Sequence, residues 1–140
     1  MAVTELRAES ACDNSAIVAA LLRALQMDKD ADDATPDDPD AQLAWAAFTG
    51  AKTRTMECGI GSANHAAAAA LLAFDEIENV IDGCAVHREN RKVIDYADAE
   101  RELRIVRKAL LGIWEYIGRQ DPKVRVELKP LAEYCGANRF

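Results

Sequence analysis

The sequence predicts an all-α fold, a bundle of about four main helices followed by a short C-terminal element. Two observations favour this class: apolar residues recur every three or four positions in several segments, and helix-starting signals precede those segments. A chain of 140 residues, half of them apolar, can bury a sizeable core without disulfides or metals. We therefore expect a single helical domain over residues 1–140.

The first two helices are predicted on either side of an aspartate-rich segment. The first spans about Cys12–Met27. The second begins after Asp38, a good N-cap residue, with Pro39 at the first helical position, and it ends near Cys58. The apolar positions at helical spacing in these two segments are Val18, Leu21, Leu22, Leu25, Leu43, Ala44, Ala47, Phe48 and Ala51.

The segment between these helices, residues 28–40, holds seven aspartates against one lysine, a local charge of −6. Because like charges repel and its two prolines break helices, we interpret it as a solvated acidic linker. The other interpretation is a surface that attracts a basic partner over a distance. The residues assigned to partner binding there are Asp30, Asp32, Asp33, Asp37 and Asp40.

The stretch ECGIGSANHAAAAALLAF, residues 57–74, is interpreted as a helix break followed by a third helix. Glycine is poor inside helices and Ser62 is a good N-cap, so the helix is predicted over Ala63–Asp82, with Gly83 at its C-terminal end. A phosphate-binding loop is not predicted, because no strand precedes the glycines and no lysine follows them. The alanine run instead predicts close packing against another helix.

A zinc site is the other interpretation of this stretch and of the residues after it. Cysteine and histidine are zinc ligands, and the candidates are Cys58, His65, Cys84 and His87. However, His65 and Cys84 would lie roughly 28 Å apart along one continuous helix. We therefore expect no metal ion and no other cofactor.

The clearest periodicity predicts a fourth helix that begins after Asp95. Its main apolar line is Tyr96, Ala99, Leu103, Val106, Leu110, Ile113 and Ile117. This line is predicted to face the core, so an aspartate at Leu110 or Ile113 would unfold the protein. A second line, Ile105, Ala109, Gly112 and Tyr116, is predicted to be a dimer or packing face. One helix of a small bundle normally hides a single stripe, so the second line predicts a homodimer.

The C-terminal tail gives a weaker pattern. VRVEL, residues 124–128, alternates apolar and polar side chains, which indicates an extended segment. Pro130 is predicted to stop it, and a short helix is expected near Leu131–Tyr134.

The distribution of charge along the sequence bears on which class of partner the protein can bind. The net charge is −7, with −9 over residues 1–80 and +2 over residues 81–140. This balance argues against direct nucleic-acid binding, which depends on neutralising phosphates. A basic stripe on the fourth helix, Arg101, Arg104 and Lys108, is nevertheless a candidate partner-binding surface. Glu100 and Arg104 are interpreted as an ordinary surface pair at i, i+4.

Cellular location is predicted from features that the sequence lacks. The four cysteines are widely spaced and form no CxxC motif, and the N-terminal residues contain no apolar signal-peptide core. The longest apolar run is much shorter than the roughly 20 residues that a bilayer requires. We expect a cytoplasmic protein with reduced thiols and no membrane association.

Two acidic stripes carry the enzymatic alternative. They are Asp75, Glu78 and Asp82 on the third helix, and Asp95, Asp98 and Glu102 on the fourth. Mg²⁺ prefers carboxylate and water ligands. All-helical nucleoside-triphosphate pyrophosphohydrolases use ExxE and ExxD motifs in this way, whereas the pairs here are DxxE and DxxD, so the comparison concerns the chemistry alone. The simpler interpretation is that these acids line the flanks of amphipathic helices.

No catalytic pattern outweighs its structural interpretation, so the sequence predicts a non-enzymatic protein-interaction module. We expect a small inhibitor or adaptor that binds a macromolecular partner, most simply a protein. Small acidic helical proteins without motifs are common among phage-borne inhibitors, which suggests an anti-defence inhibitor of a nucleic-acid-handling complex, such as an anti-CRISPR protein. The alternative is a Mg-dependent all-α nucleotide pyrophosphohydrolase that uses the two acidic stripes.

Overall fold

The protein is described by a computed structural model that covers residues 14–31, 38–89 and 97–139. Within these ranges every regular element is helical and no strand occurs, so the predicted all-α class is confirmed. Four long helices are followed by short C-terminal ones, as predicted. The elements are α1 (Asn14–Asp30), α2 (Pro39–Glu57), α3 (Ala63–Glu89), α4 (Ala97–Gln120), α5 (Pro122–Glu127), α6 (Lys129–Cys135) and a 3-10 turn (Ala137–Arg139).

The chain contacts group into two compact units, an N-terminal unit of residues 1–69 and a C-terminal unit of residues 70–140. In the N-terminal unit, α1 packs against α2. The apolar side chains buried there are Ile17, Val18, Leu21, Ala24, Leu25, Ala44, Phe48, Ala67 and Ala68. The buried residues of α2 are Ala44, Phe48 and Thr55, whereas Leu43 and Ala47, predicted on its apolar face, are exposed.

The start of α2 follows the sequence prediction. The Asp38 carboxylate accepts a hydrogen bond from the Asp40 amide at 2.9 Å, and Pro39 is the first helical residue. By contrast, α1 continues to Asp30 rather than ending at Met27, so the acidic segment contains less linker than predicted. Residues 32–37, like residues 1–13, lie outside the described ranges.

The start of α3 was also predicted correctly, but its end was not. The Ser62 hydroxyl accepts a hydrogen bond from the His65 amide at 3.2 Å, and the Ser62 carbonyl accepts one from Ala66 at 3.0 Å. The helix then passes through Gly83 and reaches Glu89. A glycine inside a helix costs about 1 kcal/mol relative to alanine, which the surrounding helical hydrogen bonds can offset, so Gly83 does not terminate it.

The C-terminal unit ends in two short helices: α5 replaces the extended segment predicted over residues 124–128, and α6 confirms the short helix expected near Leu131–Tyr134. Asp121 caps α5 by accepting from the Lys123 amide at 3.1 Å, and Pro122 is the first helical residue. These local signals outweigh the alternation of residues 124–128, and α5 packs against α4. Pro130 lies in the first turn of α6, where its missing N–H is tolerated. The helix closes at Gly136, whose φ of 74° is left-handed.

The orientation of α4 corrects the predicted core line. Of the predicted line, Leu103, Leu110 and Ile117 are half-buried, whereas Val106 and Ile113 are 44% and 46% exposed. The fully buried residues of the helix are Glu100, Trp114 and Gly118, and Arg107 is half-buried. The centre of the buried and half-buried face is thus rotated by roughly 60° from the predicted line, at about 100° per residue. Asp95 and Tyr96 lie outside the described ranges.

Ion pairs explain how this polar-looking face can turn inward. Glu100 pairs with Arg104 at 2.8 Å and is only 5% exposed, so the pair expected at the surface has a buried acid. Arg107 pairs with Glu78 of α3 at 2.6 Å. Paired charges can be buried where single ones cannot, and the large Trp114 ring gains the most from burial. Consequently Ile113→Asp is no longer expected to unfold the protein.

Candidate interaction surfaces

A broad apolar surface on α4 is the first candidate site. Ile105 is 65% exposed and Tyr116 is 58% exposed, and together with half-exposed Val106 and Ile113 they present on the order of 400 Å² of apolar surface. Patches of that size on a monomer are often functional. This α4 apolar face consists of Ile105, Val106, Ala109, Gly112, Ile113 and Tyr116.

The α4 apolar face contains all four residues of the predicted dimer or packing face. Ile105, Ala109, Gly112 and Tyr116 are exposed, and a Cβ atom built on Gly112 would meet no heavy atom within 4 Å. The six residues of the face span about 120° around the helix axis. The sequence predicted four of these six residues as a separate face but assigned Val106 and Ile113 to the core. When apolar residues cover most of a helix, their pattern does not show which of them other helices bury.

A basic edge runs beside the α4 apolar face. Arg101, Arg104 and Lys108, the three predicted basic residues, lie together around an open depression of about 490 Å³. Its full lining is Arg101, Arg104, Ile105, Arg107, Lys108 and Leu111. Arg104 and Arg107 already pair with Glu100 and Glu78. Lys108 makes no ion pair with any described residue, so its charge is available to a binding partner.

An acidic depression lies in the N-terminal unit, where α1 ends and α2 begins. It has a volume of about 360 Å³ and is lined by Met27, Asp30, Ala31, Asp38, Asp40, Ala41 and Ala44. Two of the predicted partner-binding acids, Asp30 and Asp40, therefore lie on one surface with the capping Asp38. The Asp30 carboxylate accepts a hydrogen bond from the side-chain Nε2 of Gln26 at 2.8 Å. The other three, Asp32, Asp33 and Asp37, lie outside the described ranges.

His65, a zinc candidate, has a structural position. Its fully buried ring donates through Nε2 to the Thr55 carbonyl at 2.8 Å, which ties the start of α3 to the end of α2. The Thr55 hydroxyl in turn donates to the Ala51 carbonyl at 2.8 Å. Sequence reasoning missed this contact. Among the residues that the structure describes, no three histidine, cysteine or acidic side chains are grouped as metal ligands would be; those of Cys84 and His87 are not described.

The structure describes four of the six carboxylates on which the enzymatic alternative depends. Glu78 accepts from the Arg107 guanidinium at 2.6 Å, so a cationic side chain already occupies the middle of the α3 stripe. Asp82 and Glu102 are exposed and Asp75 is half-buried. Asp95 and the side chain of Asp98 lie outside the described part of the chain.

None of the described helices combines the length and apolar character needed to cross a bilayer. No protein-family model matches the sequence, and no curated protein and no solved structure is significantly similar to the chain.

Proposed function

We propose that this protein is a non-enzymatic interaction module, a small inhibitor or adaptor that acts by binding another protein. The exposed α4 apolar face is the observation that carries the proposal. Burying about 400 Å² of apolar surface is worth up to about 10 kcal/mol before the costs of association are subtracted. That gain favours a partner on this surface, and self-association through it is part of the proposal.

Charge supports recognition of a protein partner. The acidic depression and the basic edge carry opposite charges on separate units, and each can attract a complementary surface before contact. The net charge of −7 favours a protein over nucleic acid as the direct partner, in the cytoplasm. In the narrower form of the proposal, the acidic segment would occupy the cationic nucleic-acid-binding surface of an anti-defence target complex.

Affinity purification with chemical cross-linking from the source cells tests this function. We expect a recurrent protein partner with the unmodified chain and reduced recovery with Asp30→Asn/Asp40→Asn, a change that spares the capping Asp38. The matched control is Gln42→Glu, an exposed position of α2 that does not line the acidic depression. Equal recovery with all forms would remove the acidic surface from the proposal.

The enzymatic alternative needs a separate assay. Purified protein should not hydrolyse nucleoside triphosphates when Mg²⁺ is added, and Mg²⁺ should leave its melting temperature nearly unchanged, because a tightly bound ion would raise it. Mg²⁺-dependent turnover that disappears in Asp75→Asn would contradict a non-enzymatic function and favour the pyrophosphohydrolase.

A further inference from the structure

The exposed side of α4 carries large and small side chains in a symmetric order. At steps of three or four residues it reads Glu102, Ile105, Ala109, Gly112, Tyr116 and Arg119, all exposed. Two large side chains flank two small residues, with an acid at one end and a base at the other. Ile105, Gly112 and Tyr116 lie within about 40° of one another around the axis.

From this pattern we propose that α4 pairs with α4 of a second copy in an antiparallel arrangement, about a twofold axis between Ala109 and Gly112. The inference rests on the proposed function and identifies one partner of the same surface. A twofold interface requires that residue i contacts residue j and that j contacts i. Reversing α4 about this axis places Ile105 opposite Tyr116 and Ala109 opposite Gly112 of the second copy, and the converse pairs form at the same time.

The small residues lie where the two backbones come closest. Ala109 and Gly112 flank the axis, and nothing fills the space within 4 Å of a Cβ built on Gly112. Large side chains at both ends then cover the central contact. Close packing of small residues between larger ones is how antiparallel helices approach each other without leaving voids.

Charge at the basic edge favours the antiparallel direction. In a twofold antiparallel pair, the same edge of both helices meets, and Lys108 lies about 3 Å along the axis from Glu115 of the second copy. Glu102 lies level with Arg119 of the second copy but about 100° away around the axis, on the opposite edge, so the two do not meet. Arg101 lies on the same edge as that arginine, so this end of the pair adds no attraction. In a parallel pair, Lys108 and Glu115 would be separated by about 10 Å along the axis and would not meet.

The area of the face indicates a weak dimer. Two copies would bury on the order of 800 Å² of apolar surface plus their polar edges, near the lower limit for specific interfaces. The dimer therefore forms at micromolar or higher concentrations and exchanges with monomer.

A charge-swap series measured by sedimentation velocity tests the pairing. We expect a concentration-dependent dimer, with a dissociation constant raised about fivefold or more by either Lys108→Glu or Glu115→Lys, because the twofold axis repeats each contact. The double variant should restore the original value, since it exchanges the two charges. Thermal unfolding of each variant checks that the fold is retained. A wild-type monomer at high micromolar concentration, or a double variant no better than the singles, overturns the inference.

Cysteine cross-linking tests the direction independently, with the disulfide position assigned by peptide mass spectrometry. In the antiparallel pair, position 112 lies about 4.5 Å along the axis from position 112 of the second copy, whereas the two copies of position 105 are about 16.5 Å apart. Gly112→Cys should therefore form the intermolecular disulfide and Ile105→Cys should not. Equal cross-linking of both would indicate a parallel pair and overturn the inference. A monomer that still binds a different protein overturns it as well, yet leaves the proposed function in place.

Discussion

Trp114→Ala should destabilise the protein far more than Ile113→Ala, although the two residues are adjacent on α4. Trp114 is 4% exposed, and burial of about 200 Å² at about 25 cal/mol per Å² gives roughly 5 kcal/mol. Measured costs of replacing a buried tryptophan by alanine are about 3–5 kcal/mol. Ile113 is 46% exposed, and alanine has the higher helix propensity, so we expect a change within about 1 kcal/mol.

Urea unfolding followed by far-ultraviolet circular dichroism measures both changes. The comparison belongs at low protein concentration, so that self-association does not add to the stability of either variant. If the slope of the unfolding free energy against urea concentration is the same for both variants and the wild type, a shift in the transition midpoint reports a change in stability. Similar losses for the two variants, or a larger loss for Ile113→Ala, would refute the orientation of α4 described above.

Substitutions at three further positions test the local structure there, each by the same unfolding measurement. Ser62→Ala should cost about 1 kcal/mol because α3 loses its N-cap, and Ser62→Asp should retain most of that stability. Gly136→Ala should cost about 1 kcal/mol because φ is 74°, and no cost would contradict that backbone conformation. His65→Leu should cost about 1–3 kcal/mol because the Thr55 carbonyl loses its hydrogen-bond donor. An unchanged stability would contradict a stabilising role for this hydrogen bond between α2 and α3.

Local signals in the sequence predicted where helices begin. Asp38 and Ser62 both cap as expected, since a cap depends on a few consecutive residues and little else. Gly83 misled the prediction because a glycine marks a helix end only when the chain adopts a left-handed turn there. At Gly136 it does so; at Gly83 the helix continues.

The rotation of α4 could not be predicted from its own residues. Its apolar arc is wide enough to accept several core-facing directions, and the choice depends on partners distant in sequence. Arg107 is half-buried against Glu78, which precedes it by 29 residues. A pattern rule places both charges outside, so it rotates the helix the wrong way.

The sequence predicted which residues form the candidate surfaces better than it predicted how those residues are arranged. The sequence singled out the basic stripe and the second apolar line, and α4 carries them on adjacent edges. The acidic segment was predicted as linker, but α1 continues to Asp30. Asp40 lies in the first turn of α2, where a helix was predicted, and the two acids line one depression. The contact between His65 and Thr55 has no signature in sequence, because a buried histidine and an exposed one look alike in a single chain.

The two tryptophans of the sequence fall one in each compact unit, which gives each unit its own optical reporter. Trp45 is 55% exposed, with the Lys52 ammonium 5.2 Å from its ring centroid, while Trp114 is buried. The intrinsic fluorescence of the native protein should thus contain a long-wavelength component that iodide quenches and a short-wavelength component that it does not. Single-tryptophan variants, with phenylalanine at the other position, would then report whether the two units melt at one temperature or at two.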